Sequence, residues 1–416
     1  MIKIKKLDCG VRVVMDKTEF VQSAAIGFWI KAGSFDEDKK NWGISHFIEH
    51  MMFKGTENRS AKEIAEDVDK IGGQINAFTG KEATCYYIKT LSANLDRAME
   101  ILVDMMVNSK FDSREMTRER KVICEEIKMI EDTPDDYAHD LIASIVNRGN
   151  PYEKTIIGTP TSLRGISRNT IVEYIEKQYT RDNIVIAVAG NFDEGLVCNY
   201  LEGKLGRFRE KKPERKFDAQ PYRANYKVKV KEIEQTHIFL GCPSVNLEHE
   251  DYYKVSILSN ILGGSMSSRL FQNLRERKGL AYSVYCVNSS SIFNGDFLIY
   301  AGVAHENIAH ALGEIKNQLN ILSSGSITED ELSKAKEQMK SNIIFGLENV
   351  SSKMFAMGRA LTLTGKVKTE SEILENIDKV TLNDVNKVAT YLGDIENYSG
   401  VAVTNKRFNM ARMLKK

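Results

Sequence analysis

Two histidines four residues apart, the second preceded by a glutamate, make up His46-Phe47-Ile48-Glu49-His50. On a helix, positions four apart share a face, so both imidazoles can reach one divalent ion. Glu49 lies one turn after His46 and beside His50, where a carboxylate can take a proton from a water on that ion. This is the inverted H-x-x-E-H arrangement of metallopeptidases. A partly buried helix whose histidines hydrogen-bond to neighbours would show the same five residues. The metal reading makes a further demand, because a catalytic zinc takes three protein ligands and keeps a fourth position open for water.

The segment 113–131 offers that donor. On a helix its adjacent glutamates part company: Glu126 shares a stripe with Val122, Ile123, Ile127 and Ile130, whereas Glu125 lies with Arg118, Lys121 and Lys128. A carboxylate among core-facing isoleucines is costly unless a cation or hydrogen-bond donors meet it. Zinc is such a partner, and an arginine is the structural alternative. Glu119, earlier on the same inward stripe, can orient a ligand without binding the ion itself.

Positioning these groups requires elements on both sides. Val11–Met15 and Ser23–Ile30 read as strands, and Gly33–Asp38 as a loop. The histidine helix runs from about Ile44 to Phe53 and is closed by Lys54-Gly55, where glycine suits a left-handed cap. Ala61–Ile71 is amphipathic and stops at Gly72-Gly73. Gln74–Lys89 alternates as a hairpin turning at Gly80-Lys81, and helices follow at about 92–107 and 113–131. The unbroken apolar run Ile184–Ala189 reads as a strand covered on both faces.

From Arg209 to Lys227 the chain is charged, carries Pro213 and lacks apolar periodicity, which marks a linker. The second half then repeats the first: a strand at Thr236–Cys242, an acidic loop at Glu248–Asp251, a helix from about Tyr252 to Leu262, and a long helix beginning near Thr328. The expected fold is α+β, with two similar duplicated domains, each a mostly antiparallel sheet covered by helices. The divisions are a zinc-binding domain at 1–210, a linker at 211–226 and a homologous domain without metal at 227–416. In the second half the position equivalent to Glu126 falls near Asn342, and no histidine pair lies near Leu258.

Bulk properties bound the partners. At 416 residues two domains are the default. Lys+Arg (58) nearly cancels Asp+Glu (57), so no global field draws the chain to nucleic acid or an anionic membrane. No apolar run approaches the roughly 20 residues that span a bilayer, and the start Met1-Ile2-Lys3-Ile4-Lys5-Lys6 lacks the apolar core of a secretory signal. Six scattered cysteines without a C-x-x-C pair suit reduced, mostly buried thiols in a cytoplasmic protein. Other candidates are weaker. His305 and His310 are off one face, His139 sits at a solvated helix start beside Asp135 and Asp136, Lys211–Lys216 is interrupted by Pro213 and Glu214, and Gly263-Gly264 lacks the lysine of a phosphate loop.

The stretch Gly43-Ile44-Ser45-His46-Phe47-Ile48-Glu49-His50-Met51-Met52-Phe53-Lys54-Gly55-Thr56 resembles the zinc signature of the pitrilysin/insulinase metallopeptidases, most closely the mitochondrial processing peptidase branch and its bacterial processing-protease relatives. Glu126 falls at that family's spacing for the third ligand, and Glu119 at its accessory glutamate. Similarity continues through Gly72–Thr79, Ile157-Gly158-Thr159, Tyr179–Asn183, Leu262–Phe271 and Leu274–Tyr282, so it covers nearly the whole chain. One departure is Phe78-Thr79-Gly80, where relatives often carry small polar residues.

The resemblance implies a zinc endopeptidase binding one Zn2+ per chain through His46, His50 and Glu126, with Glu49 as general base. Extended or unfolded peptides would add beside Asn76, Ala77 and Phe78, and Arg275 and Tyr282 would bind the scissile region. Family members of this length form half of a clamshell, which implies a homodimer, or a heterodimer with a site-less relative, in which Arg275 and Tyr282 face the partner's metal. A non-catalytic scaffold subunit is the rival reading; its mark would be loss of ligands or of Glu49, and all are present.

Overall fold

In the computed structural model, which describes residues 2–415 apart from 207, 211–213, 216 and 219, two sheets with the same strand order organise the chain. The first contains β1 (Lys3–Lys6), β2 (Arg12–Lys17), β3 (Ser23–Ile30), β4 (Gln74–Thr79), β5 (Thr84–Leu91) and β6 (Ile184–Gly190), in the order β1-β2-β6-β3-β5-β4. The second contains β7 (Tyr226–Val230), β8 (Thr236–Ser244), β9 (Ala281–Ser290), β10 (Gly295–Val303) and β11 (Ser399–Thr404), in the order β7-β11-β8-β10-β9. Without β1 the orders coincide. Each sheet has one parallel junction, β2 with β6 and β7 with β11, and is otherwise antiparallel. The α+β duplication expected from the sequence is therefore present.

Composition explains the central strands. β6, Ile-Val-Ile-Ala-Val-Ala-Gly, is buried along its whole length, as a strand covered on both faces must be. β4 instead alternates exposed and half-buried residues. Among the described residues it pairs only with β5, and no strand lies on its outer edge.

The helices of the first unit include α1 (Ile44–Met52), α2 (Ala61–Lys70), α3 (Leu95–Asn108) and most of α4 (Ser113–Asp132). Ser60 caps α2, accepting from the Glu63 amide while the Glu63 carboxylate accepts from the Ser60 amide, a reciprocal pairing that ends two otherwise orphaned donors. The unit also includes the helix Val350–Thr364, which packs on β3 and β6. There Gly358 leaves room for Trp29, whose indole nitrogen lies 2.0 Å from where a Cβ would stand.

The compact units are not the uninterrupted blocks 1–210 and 227–416. One comprises Met1–Ile127, Lys154–Lys216 and Ile344–Thr369, and the other Lys128–Glu153, Phe217–Ile343 and Glu370–Lys416. The second unit thus contains α5 (Pro134–Val146), which packs on β8 and β11. Its buried Ala138, Ile142 and Val146 meet Phe239, Leu298 and Val401 in one apolar cluster. Amphipathic periodicity shows that a helix has an apolar face; it does not show which sheet that face covers.

The region expected as linker is also corrected in part. Lys211, Lys212, Pro213, Lys216 and Ala219 lie outside the described residues. Arg215, within the expected linker, has a side chain only 6% exposed and paired with Asp36, donates to the carbonyl oxygens of Lys31 and Glu82, and lies over the Phe35 ring. Among the described residues no helix is long and apolar enough to cross a membrane. The six cysteines are unpaired, and four of them are buried.

Candidate metal centre

α1 is fixed at its start before it presents any chemistry. Its N-cap, Gly43, has φ 92°, a region costly for any residue with a Cβ. A Cβ there would lie 2.7 Å from the Ile157 carbonyl oxygen, and one on Gly158, φ 78°, would lie 2.6 Å from that of Trp42. The two glycines let these backbones touch. The first-turn amides are satisfied from outside the helix: the Glu37 carboxylate accepts from Gly43 N at 2.8 Å and Ser45 N at 2.9 Å, a charge placed where a helix N-terminus favours it. Burial nevertheless raises the Glu37 carboxyl to about 7, against the pull of those amides.

Ile44, Phe47, Ile48, Met51 and Met52 bury one side of α1, leaving His46, Glu49 and His50 half-buried on another. The rings of His46 and His50 stand 4.7 Å apart. From α4, Glu126 Oε2 comes within 3.9 Å of His46 Nε2 and 3.5 Å of His50 Nε2. One ligand atom from each of the three residues lies within 4.8 Å of the other two, the sole such group able to hold a metal ion among the described residues.

Three observations test whether a cation fits. Glu126 Oε2 is buried and has no hydrogen-bond partner, a state costly for a carboxylate unless a cation meets it. No lysine or arginine among the described residues pairs with Glu126; nearby Arg120 instead donates to the carbonyl oxygens of Leu163 and Ile166. Burial, and then the neighbouring His50, pull the His46 imidazole down to about 4, so its ring is neutral and has a lone pair to give. Two imidazoles and a carboxylate form a donor set suited to a divalent metal.

The surroundings orient this set. Glu119, on the inward face of α4 and buried, lies 3.1 Å from His50 Nδ1 through Oε2 and 2.7 Å from Lys54 Nζ through Oε1. Glu125 is exposed, as the face assignment required. One member of the expected apolar stripe departs: Val122 is 45% exposed, because the buried face of α4 runs narrowly through Met116, Glu119, Ile123 and Ile127. The Glu49 carboxylate accepts from the Thr79 hydroxyl of β4. Burial raises its pKa, while Thr79 and His50 oppose that shift.

Asn76, Ala77 and Phe78 lie on the free-edged β4, where Asn76 Oδ1 accepts the Ala77 amide at 2.8 Å. Phe78 packs edge-on against Trp29 and Phe355. Within the second unit, Arg275 belongs to the π-helix Phe271–Arg277 and its guanidinium stands 5.6 Å from the ring of Tyr282, itself 78% exposed. The weaker candidates remain without chemistry. Both ring nitrogens of His305 are engaged, by Thr236 and the Ile233 carbonyl, and the exposed His139 meets the Phe239 ring edge-on. Glu37, Lys54 and Thr79 were not singled out from the sequence. Only Glu37 left a signal there, an acid a few residues ahead of a helix start.

The repeated sheets and the His-His-Glu group, single among the described residues, define a duplicated α+β protein with a candidate metal site in one repeat. A model of insulinase, peptidase family M16, matches residues 12–160, and a model of the peptidase M16 inactive domain matches residues 165–339. An uncharacterized zinc protease of Bacillus subtilis, YmxG, is 41% identical over 391 residues, spanning 94% of this chain and 95% of its own. A Rickettsia felis relative, also named as an uncharacterized zinc protease, is 37% identical and covered to 92% on both sides. The crystal structure of a protease from Helicobacter pylori matches with a TM-score of 0.88 at 24% identity, over 97% of this chain and 99% of that one. A peptidase M16 inactive domain from Pseudomonas fluorescens matches at 0.90 and 16% identity, over 98% of both. The chain belongs to peptidase family M16.

Proposed function

We propose that the protein is a zinc-dependent endopeptidase that cleaves extended or unfolded peptides. One observation carries this reading: His46 Nε2, His50 Nε2 and an otherwise unpartnered Glu126 Oε2 converge from two helices, with Glu49 on the same helix as the histidines. Relatives named as zinc proteases support zinc as the ion, as does the His2Glu donor set. A bound zinc would supply a water of lowered pKa, toward about 7, and a Lewis acid for the scissile carbonyl.

The chain's own groups do the rest. Glu49 takes the proton of the attacking water and returns it to the leaving amine, and the raised proton affinity that burial gives it suits the first task. The peptide backbone pairs with the free edge of β4 along Asn76, Ala77 and Phe78, a mode open only to extended segments. Arg275 and Tyr282 donate to the scissile region, supplied by a second copy in a homodimer or by a site-less partner chain. The balanced charge and the absence of a membrane-crossing helix among the described residues suit a cytoplasmic peptidase.

The test is cleavage of an unfolded peptide by purified protein of measured zinc content. Glu49→Gln should abolish cleavage while keeping zinc; cleavage at the wild-type rate would remove the mechanism. Mixing Glu49→Gln with Arg275→Ala chains should restore part of the activity if the homodimer forms, and no restoration argues against it.

A further inference from the structure

We infer that Thr79 is a positioning residue for Glu49, so that the strand edge on which the peptide would lie also aims the carboxylate that takes the proton. The inference rests on the peptidase reading above and adds a residue and a coupling to it.

β4 side chains alternate between faces. Phe78 points to Trp29 and Phe355, and Thr79, the next and last residue of the strand, points to α1, where its hydroxyl donates to the Glu49 carboxylate. Among the described residues this is the sole hydrogen bond to that carboxylate. A glutamate side chain has three rotatable bonds, and a general base must stay within about 2.6–3.2 Å of its proton. Errors near 1 Å cost on the order of a hundredfold in rate. The single hydroxyl therefore decides where the base points.

The coupling follows from topology. Among the described residues β4 has a strand partner on one side only, β5. A peptide pairing with its other side would order the strand that carries Thr79, and with it the position of Glu49. Binding and base alignment then share one element, and loss of the hydroxyl should appear in turnover more than in affinity.

The experiment compares Thr79→Val, Thr79→Ala and Thr79→Ser on an unfolded peptide, with zinc content measured for each. Thr79→Val and Thr79→Ala should lower kcat about 10–100-fold, the range for a lost supporting hydrogen bond at a metal site. KM should stay within about twofold and one zinc per chain should be kept. Thr79→Ser, which retains a hydroxyl, should recover most of the rate. A second readout uses metal-free protein: melting-temperature losses from Thr79→Val and Glu49→Ala should be clearly less than additive in the double variant, as expected for contacting partners. A wild-type kcat in Thr79→Val beside an inactive Glu49→Gln overturns the role of Thr79 alone, and so does a Thr79→Ser as impaired as Thr79→Val. A Glu49→Gln that cleaves normally overturns the peptidase mechanism beneath it.

Discussion

Glu119 Oε2 lies 3.1 Å from His50 Nδ1, while the other nitrogen of the same ring faces Glu126. A carboxylate there favours a proton on Nδ1 and so leaves the Nε2 lone pair toward the candidate metal position. Lys54, 2.7 Å from the other Glu119 oxygen, balances the charge and holds the carboxylate from behind. Replacing Glu119 with Ala should weaken zinc affinity about 10–100-fold without removing a ligand. Competition with a chelator of known affinity measures this; unchanged affinity would deny Glu119 an orienting role.

The adjacent glutamates of α4 provide an internal control. Glu126→Gln should lose stoichiometric zinc, since an amide oxygen is a poor replacement for a carboxylate ligand. Glu125→Gln, on the exposed face, should retain one zinc per chain. Metal analysis of the two proteins after dialysis distinguishes them, and equal retention would contradict the ligand assignment.

The contact of Gly43 with Gly158 predicts intolerance to a single methyl group. In Gly158→Ala the new Cβ meets the Trp42 carbonyl oxygen at 2.6 Å, at a φ of 78°. Left-handed strain and overpacking together should cost about 2 kcal/mol or more. Thermal unfolding should show a lowered midpoint, and zinc binding should weaken with it because α1 starts from this contact. A variant as stable as the parent would show that the backbones part easily.

Glu37 predicts a pH dependence with a definite sign. Its folded carboxyl sits at about 7, above the ordinary 4.5. The folded state therefore binds this proton more tightly than the unfolded chain does. Its contribution to stability is fully present below about pH 4.5 and is lost as the pH rises through 7, by at most about 3 kcal/mol. Glu37→Gln should flatten the stability profile over that window. Chemical denaturation from pH 4.5 to 7.5 tests it, and parallel profiles would exclude Glu37 as the source.

The local parts of this protein were legible in its residues because they obey short-range rules. The continuous apolar run of β6, the boundaries of β3 and the facing of Glu126 away from Glu125 follow from period and helical angle. What escaped depends on contacts between distant segments. Thr79 meets Glu49 across the gap between a strand and a helix, Lys54 meets Glu119 from the bend that follows α1, and Arg215 reaches buried Asp36 from a stretch expected as a linker. The exchange of Lys128–Glu153 and Ile344–Thr369 between units escaped for the same reason. An apolar helical face is compatible with either sheet, and the choice is made only when the chain closes.

That exchange bears on autonomy. Because each unit takes a stretch from the opposite half of the sequence, a chain severed between them would leave both fragments with a sheet surface bare and a helix without a seat. Either fragment produced alone should be insoluble, whereas the pair produced together should reassemble.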